Sequence, residues 1–563
     1  MNADALFAHY ERIADAPSAI DSLRSFVLQL ATRGKLVPND KPWRSLQIEE
    51  CLEALPDGRF IHQGWSPQCD KHPSPNEETW GVLKTTAIQD GQFLPEYNKQ
   101  LPGALVPKPQ LEVRPGDTLI TCAGPRARCG IACLVTSTRT KLMISGKMYR
   151  FRADATKVLP RYLTLFLCSD TARSAIDAMK TGSSESGLNL TQDRFRELRI
   201  QFGSISEQRD IVARVDELMS LCDQLEKARA ERETTRDKLT RATLARLNTP
   251  NSETFRKDAR FALDNFQAFT TRPDQLRQVR LAILNLAARG KLVPQDANDR
   301  SASKVIEELG DVSHRRKVRR DVPPDVDMPS EVENWNLPRS WAKCSAAQML
   351  RSGLLLDLKD GNHGGNHPKV AEFVPTGLPF ITAAQVFDHK IHVETAYKIA
   401  GAPLRRLKIG FAQKDDVIYT HKGTVGRVAV AENDCILSPQ TTYYRPNVEV
   451  LLPRYLMWFL ESDLFVSQVD EVKKQTTRDF VAISKQYLFF HAIPPAAEQA
   501  RIVAKVDELM SICDALELAL TTRDTARGNL LRALLFECVA TDSEETDQPR
   551  LVSSASPPRQ WHA

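Results

Sequence analysis

ISEQRDIVARVDELMSLCDQLE at 205–226 and AAEQARIVAKVDELMSICDALE at 496–517 share 15 of 22 positions in one register. That register continues beyond the window: Arg232 answers Arg523, Arg236 answers Arg527, and Leu239 answers Leu530. Within it, Ile211, Val215, Leu218, Cys222 and Leu225 are spaced 4, 3, 4 and 3, and Ile502, Val506, Leu509, Cys513 and Leu516 repeat the spacing. Such a seam predicts two long helices with coiled-coil character. At 1.5 Å per residue, about 40 residues give roughly 60 Å of helix.

Two further anchors extend the duplication. RGKLVP stands at 33–38 and 289–294, and LPRYL at 159–163 and 452–456. The chain therefore reads as two half-copies, about 1–250 and 270–545. The second is longer, because the step from RGKLVP to the Glu-Gln pair is 174 residues in the first half and 209 in the second. A short apolar helix precedes each RGKLVP; the glycine suits its C-cap and the proline prevents continuation.

Between the helices the texture changes. Residues 41–200 and 331–493 hold short β-branched runs broken by Gly, Pro and Thr, among them GDTLITC (116–122), GIACLVT (130–136), LPFITAAQVF (378–387) and DDVIYTHKGTVGRVAVA (415–431). These read as strand-containing globular modules. They match each other poorly, so a duplicated scaffold carries two divergent modules. The fold expected is α+β: two mixed modules joined by two long antiparallel coiled-coil helices, with a pseudo-twofold internal repeat. The expected order is an N-terminal helical segment (1–40), module one (41–200), a central spacer helix (205–248), a linker with the second helical segment (249–330), module two (331–493), a C-terminal spacer helix (496–540) and a disordered tail (541–563).

Composition narrows the class. The 563 residues are 42% apolar and 26% charged, as in an ordinary globular protein. No apolar run approaches the roughly 20 residues of a membrane span. MNADALFAHYERIADA lacks the basic-then-apolar pattern of a secretory signal. Eleven scattered cysteines favour reduced thiols over a disulfide framework. Cys122, Cys129 and Cys133 lie close together, but neither a fourth ligand nor CxxC spacing accompanies them. The expectation is a cytoplasmic protein without a membrane partner.

Two different modules at a set separation suit an asymmetric two-part target, and DNA offers such sites a helical turn, about 34 Å, apart. The net charge of +5 is compatible with this without requiring it. Three pairs of turns carry suitable chemistry, because glycine lets a backbone approach phosphate while Lys, Arg, Gln, Ser and Thr contact phosphates and base edges. The first pair is VLKTTAIQDGQF (82–93) with FITAAQVFDHKI (380–391), holding Lys84, Thr85, Thr86, Thr382 and Gln385. The second is CAGPRARCG (122–130) with HKGTVGR (421–427), holding Arg126, Arg128, Lys422, Thr424 and Arg427. The third is MKTGSSESGLNL (179–190) with KKQTTRDFVAIS (473–484), holding Lys180, Ser183, Ser184, Lys474, Gln475, Thr476, Thr477 and Arg478. Any one such turn is commonly just solvated surface; it is their recurrence at matching places that marks them. The basic run HRRKVRRD (314–321) reads as a solvated linker.

No catalytic signature appears. The chain lacks GxxxxGK[ST], HExxH and GxSxG. IPP at 493–495 has neither the aromatic residue nor the amide of an adenine methyltransferase motif. Neither a metal site nor a resident cofactor is expected.

On RGKLVP twice, the two EQ…VDELM helices, LPRYL twice, and the GDTLI and DDVIYTHKGTVGR turns, the chain resembles the specificity subunits of Type I restriction–modification systems over essentially its whole length. The resemblance implies that each module is a target recognition domain reading one half of a split double-stranded DNA site. It implies helices that set the gap and bind two methyltransferase subunits, with motor–nuclease subunits joining them. S-adenosylmethionine, ATP and Mg2+ would belong to those partners, and this chain would not be a catalyst. The turn CAGPRARCG departs from the simpler KGTVGR pattern. Two other classes remain open at this point: a coiled-coil adaptor whose modules bind protein, and an enzyme with an unrecognised site.

Overall fold

A computed structural model describes residues 15–38, 42–182, 184–248, 253–310, 322–323, 326–473 and 480–540. The basic run 314–321 and the tail 541–563 lie outside the described residues. The chain divides into two compact units, one combining residues up to Arg232 with those from Arg523 onward, the other comprising Glu233–Thr522. Both divisions fall inside the long helices, Ile205–Asn248 and Ala496–Ala540.

The predicted short helices form as Ala19–Thr32 and Pro273–Ala288. Each ends as its RG dipeptide requires. Gly34 (φ 68°) and Gly290 (φ 63°) are left-handed, where a side chain would be strained. Lys35 N–H donates to the Leu30 carbonyl and Lys291 N–H to that of Leu286, both at 2.9 Å, closing the same C-terminal motif twice.

The two modules have one topology. In the first unit a four-stranded sheet runs in the order Ile61–Gln63, Met148–Phe151, Thr118–Thr121, Ala132–Leu134; in the second the order is Leu355–Asp360, Thr441–Pro446, Val417–Thr420, Val428–Val430. A second sheet contains one parallel pair in each unit, Gly81–Leu83 with Leu142–Met143 and Leu378–Ile381 with Cys435–Leu437. A two-stranded ribbon leads into each long helix: Arg44–Gln47 with Arg199–Phe202, and Ala342–Ser345 with Phe490–Ile493. Gly64 and Gly361 occupy matching crossings, where any Cβ would run into the carbonyls of Ile144 and Ser145 or of Leu437 and Ser438. Behind each first sheet, a carboxylate that is 1% exposed holds an arginine, Asp117 with Arg152 (2.7 Å) and Asp416 with Arg445 (2.8 Å). Burial, helped by the neighbouring Asp357 charge, raises the Asp416 pKa; the Arg445 hydrogen bond opposes this without cancelling it.

The seam is buried or partly buried through its fourth position, Cys222 in one helix and Cys513 in the other. Ile211 and Val215 pack with Val27 and Ala31 against module one, and Ile502, Val506, Met510 and Cys513 join the core of module two. Leu225 is exposed. Over these positions each helix docks onto its own module and short helix. No helix among the described residues is long and apolar enough to cross a membrane. Ten cysteines are free thiols, and of these all but Cys69 are buried.

Candidate nucleic-acid interface

The repeated Glu-Gln pair explains how each module is held. Gln208 and Gln499 are fully buried. The Leu159 N–H donates to the Gln208 amide oxygen (2.8 Å), and the Gln208 amide nitrogen donates to the carbonyls of Lys157 (3.0 Å) and Gly203 (3.1 Å). Gln499 repeats this with Leu452 N–H (2.8 Å), Val450 (3.0 Å) and Pro494 (3.0 Å). LPRYL supplies that backbone donor, and its side chains repeat their contacts: Arg161 with Asp216 and Arg454 with Asp507 (both 2.7 Å), and the Tyr162 and Tyr455 hydroxyls donating to the Gln201 (2.9 Å) and Ala492 (2.7 Å) carbonyls. The preceding glutamates diverge: Glu207 forms a capping box with Ser204, whereas Glu498 accepts from the Trp341 indole at 2.9 Å. On the helix face, Arg24 bridges Asp223 (2.7 Å) and Glu226 (2.6 Å), and Arg280 bridges Asp514 and Glu517 at 2.7 Å.

On these supports the three predicted turn pairs come together within each unit. In module one the segment after strand Thr118–Thr121 folds back so that Ala123 and Gly124 pair with Asn189 and Leu188. In module two Lys422 bridges to Phe480, and Val481 N–H donates to the His421 carbonyl at 2.9 Å. Burial pushes the His421 pKa down, although its ring bonds the Val481 carbonyl at 2.9 Å. Buried threonines at the strand ends brace the middle turns. Thr121 Oγ1 donates to the Arg128 carbonyl (2.5 Å), and Arg427 N–H donates to Thr420 Oγ1 (2.9 Å).

The third partner is a single 3-10 turn, Thr85–Ala87 in module one and Ala383–Gln385 in module two. The Arg128 guanidinium donates to the carbonyls of Thr85 (2.5 Å) and Ile88 (2.8 Å), and to the Gln89 side chain (3.3 Å). Arg427 donates to the carbonyls of Ala383 (3.2 Å) and Val386 (3.3 Å). Thr382 accepts from Ala384 N–H and, with its hydroxyl and N–H, is bonded to Gln385. These polar side chains organise the turn itself.

The remaining predicted residues fall into three groups. Arg126 is committed to acids, to Glu185 (2.8 Å) and Asp177 (2.5 Å), and the Glu185 hydrogen bond raises its pKa. Lys180 has a nearly buried side chain that donates to Asp177 (2.8 Å) and the Arg126 carbonyl (3.0 Å), so it stands inside the turn and not on its surface. Lys84 and Thr85 are half-buried, while Thr86, Ser184, Lys422 and Thr424 are exposed. Lys422 lies 6.0 Å over the Phe480 ring. Ser183, Lys474, Gln475, Thr476, Thr477 and Arg478 lie outside the described residues. Sequence reasoning missed Gln440, whose side chain accepts from Ala383 N–H (3.1 Å) and whose carbonyl accepts from His421 N–H (2.9 Å). A lone glutamine at a strand end carries no pattern that would reveal this. Among the described residues no group of three or more His, Cys, Asp or Glu is placed to hold a metal ion.

No family model matches the chain. It is 34% identical over 256 residues to the Type I restriction enzyme EcoEI specificity subunit of Escherichia coli, covering 38% of this chain and 43% of that protein, so the match spans less than half of that relative. It is 22% identical over 562 residues to the Type I restriction enzyme EcoAI specificity subunit of Escherichia coli, covering 92% of this chain and 93% of the other. Among solved structures, a chain from work on complex assembly and conformational transition of the type I R-M system superposes with a TM-score of 0.50 at 19% identity, covering 89% of this chain and 98% of that one. At that identity the likeness is one of fold. In sequence the chain is similar to these two specificity subunits of Type I restriction enzymes, and in fold to the chain from the type I R-M system.

Proposed function

We propose that this chain is the non-catalytic DNA-specificity subunit of a Type I restriction–modification complex in the cytoplasm. Residues 41–200 and 331–493 act as its two target recognition domains, each reading one half of an asymmetric, split DNA site. The helices 205–248 and 496–540 set the gap and dock two methyltransferase subunits, and motor–nuclease subunits complete the assembly. S-adenosylmethionine, ATP and Mg2+ serve chemistry on those partners. One observation carries the reading. The scaffold repeats its main contacts, Gln208 with Gln499 and Arg24 with Arg280, while the turns it presents share a fold and differ in exposed chemistry, Thr86 against Ala384. A constant scaffold suits constant partners, and differing turns suit differing half-sites.

A methylation map of a genome carrying the gene, compared with its deletion, tests this. The expected result is the loss of one split, asymmetric methyl-adenine motif. Retention of every motif in a strain that expresses the partner subunits would refute the proposal.

A further inference from the structure

The two arginine clamps do not align. Arg128 precedes the left-handed Gly130 (φ 91°) by two positions, whereas Arg427 follows Gly426 (φ 101°) directly. Their targets do align. Thr85 and Ile88 in one module, Ala383 and Val386 in the other, are the carbonyls at positions i and i+3 of the same 3-10 turn. Two modules with little sequence in common thus place a guanidinium on the same pair of carbonyls from different points in the chain. A planar guanidinium suits this task, because the two N–H groups of one terminal nitrogen diverge in a fixed plane, and each can take one carbonyl. Nothing else in the two turns is repeated so closely; the residue between the clamped carbonyls is Thr86 in one and Ala384 in the other, both exposed.

Resting on the DNA reading above, we infer that Arg128 and Arg427 are positioning residues. Each fuses the 3-10 turn and the strand-end turn of its module into one rigid reading head, and the exposed position on the clamped turn, Thr86 or Ala384, faces the base pairs. Each arginine commits one terminal nitrogen, Nη2 of Arg128 and Nη1 of Arg427, to both carbonyls and acts on DNA through the turn it holds. A hydroxyl at one such position and a methyl at the other present different faces to a base edge, the hydroxyl a donor and acceptor, the methyl an apolar surface suited to a thymine methyl.

The test uses the full-length chain purified with the subunits that accompany it, in the variants Arg427→Ala, Arg427→Gln and Arg427→Lys. Binding is measured to the cognate site and to sites with single base changes in either half, across a range of salt. The half-site read by module one serves as the internal control. With Ala, discrimination at the half-site of module two should fall about tenfold or more, the size of one good base contact. The other half-site and the salt slope should stay unchanged. Gln, which keeps an N–H donor without charge, should recover part of the loss, and Lys, which keeps the charge without the fork, should recover less. If Arg427 were instead a phosphate contact, Ala and Gln would each lower the salt slope by about 0.9, with discrimination kept and Lys restoring the slope. That result overturns the inference. So does equal loss at both half-sites, which would make Arg427 a support of the whole fold. Binding by the unsubstituted protein that is insensitive to salt and sequence would remove the DNA reading itself, and this inference with it.

Discussion

Arg24 on Asp223 and Glu226 has its twin in Arg280 on Asp514 and Glu517, whereas Arg128 and Arg427 reach equivalent carbonyls from positions that do not correspond. The scaffold is conserved between the halves as residues; the modules are conserved as shape. The difference follows from the kind of contact each makes. Gln208 and Gln499 sit in full burial with three directed hydrogen bonds apiece, and no other side chain has that donor and acceptor pattern at that length. The module sheets are held by apolar burial, which tolerates exchange of one hydrophobic residue for another of similar volume. Where a module places a directed polar contact, as at Asp117 with Arg152 and Asp416 with Arg445, or at the hydroxyls of Tyr162 and Tyr455, it too repeats residues.

The sharpest way to break this comparison is to truncate the glutamines. Gln208→Ala and Gln499→Ala each leave one buried N–H and two carbonyls unpaired, at about 1–3 kcal/mol per group, so each should destabilise by about 3 kcal/mol or more. Denaturant unfolding of the full chain, followed by probes in each unit, should show equal losses. A loss in one unit alone would mean that the repeated contacts are not energetically repeated.

A second prediction exploits a position where the units differ. On the ribbon before each long helix, Ile200 pairs opposite Leu46 and His491 opposite Cys344, and both are fully buried. Burial lowers the His491 pKa from its usual value to about 4. A depressed folded-state pKa means that the stability contribution is complete above the unfolded value, near 6.5, and is lost as pH falls through about 4. The unit containing module two should therefore lose about 3 kcal/mol between those limits, and the unit containing module one should not lose this contribution. His491→Ile should abolish the difference in an acid titration followed by circular dichroism. An unchanged acid transition in that variant would show that His491 is not its source.

The smallest effect belongs to the helix-face ion pairs. Arg24 and Arg280 are partly exposed and their carboxylates largely so, which limits each bridge to about 0–1 kcal/mol. Arg24→Ala and Arg280→Ala should lower stability slightly and equally at low salt, and the losses should shrink in high salt. A loss that persists at high salt would show that the stems of these arginines matter through packing.

Much of the architecture was legible beforehand. The heptad spacing marked both long helices, RG marked the C-caps, and GDTLITC and DDVIYTHKGTVGRVAVA contained the strands Thr118–Thr121, Val417–Thr420 and Val428–Val430 that they suggested. The seam was legible as a pattern but not as a partner: periodicity reports which face is buried and not what covers it, and here the module and the short helix cover Ile211 and Val215. The candidate turns were found by composition, and their roles were not. Arg126 and Lys180 read as free cations, and the structure pairs them with Glu185 and Asp177, acids brought close by chain reversal.

The sequence by itself determined that this chain is a duplication, where its helices begin and end, and that two unlike modules ride on a common frame. Those properties depend on local pattern and on identity between copies, both of which a linear string carries. Only the tertiary structure decided that the three turns of each module converge, that Arg128 and Arg427 grip the same pair of carbonyls, and that His491 replaces Ile200 in a closed core. Such facts arise from contacts between residues 40 or more positions apart, and the backbone carbonyls that accept the Arg128 and Arg427 clamp bonds carry no letter in the sequence.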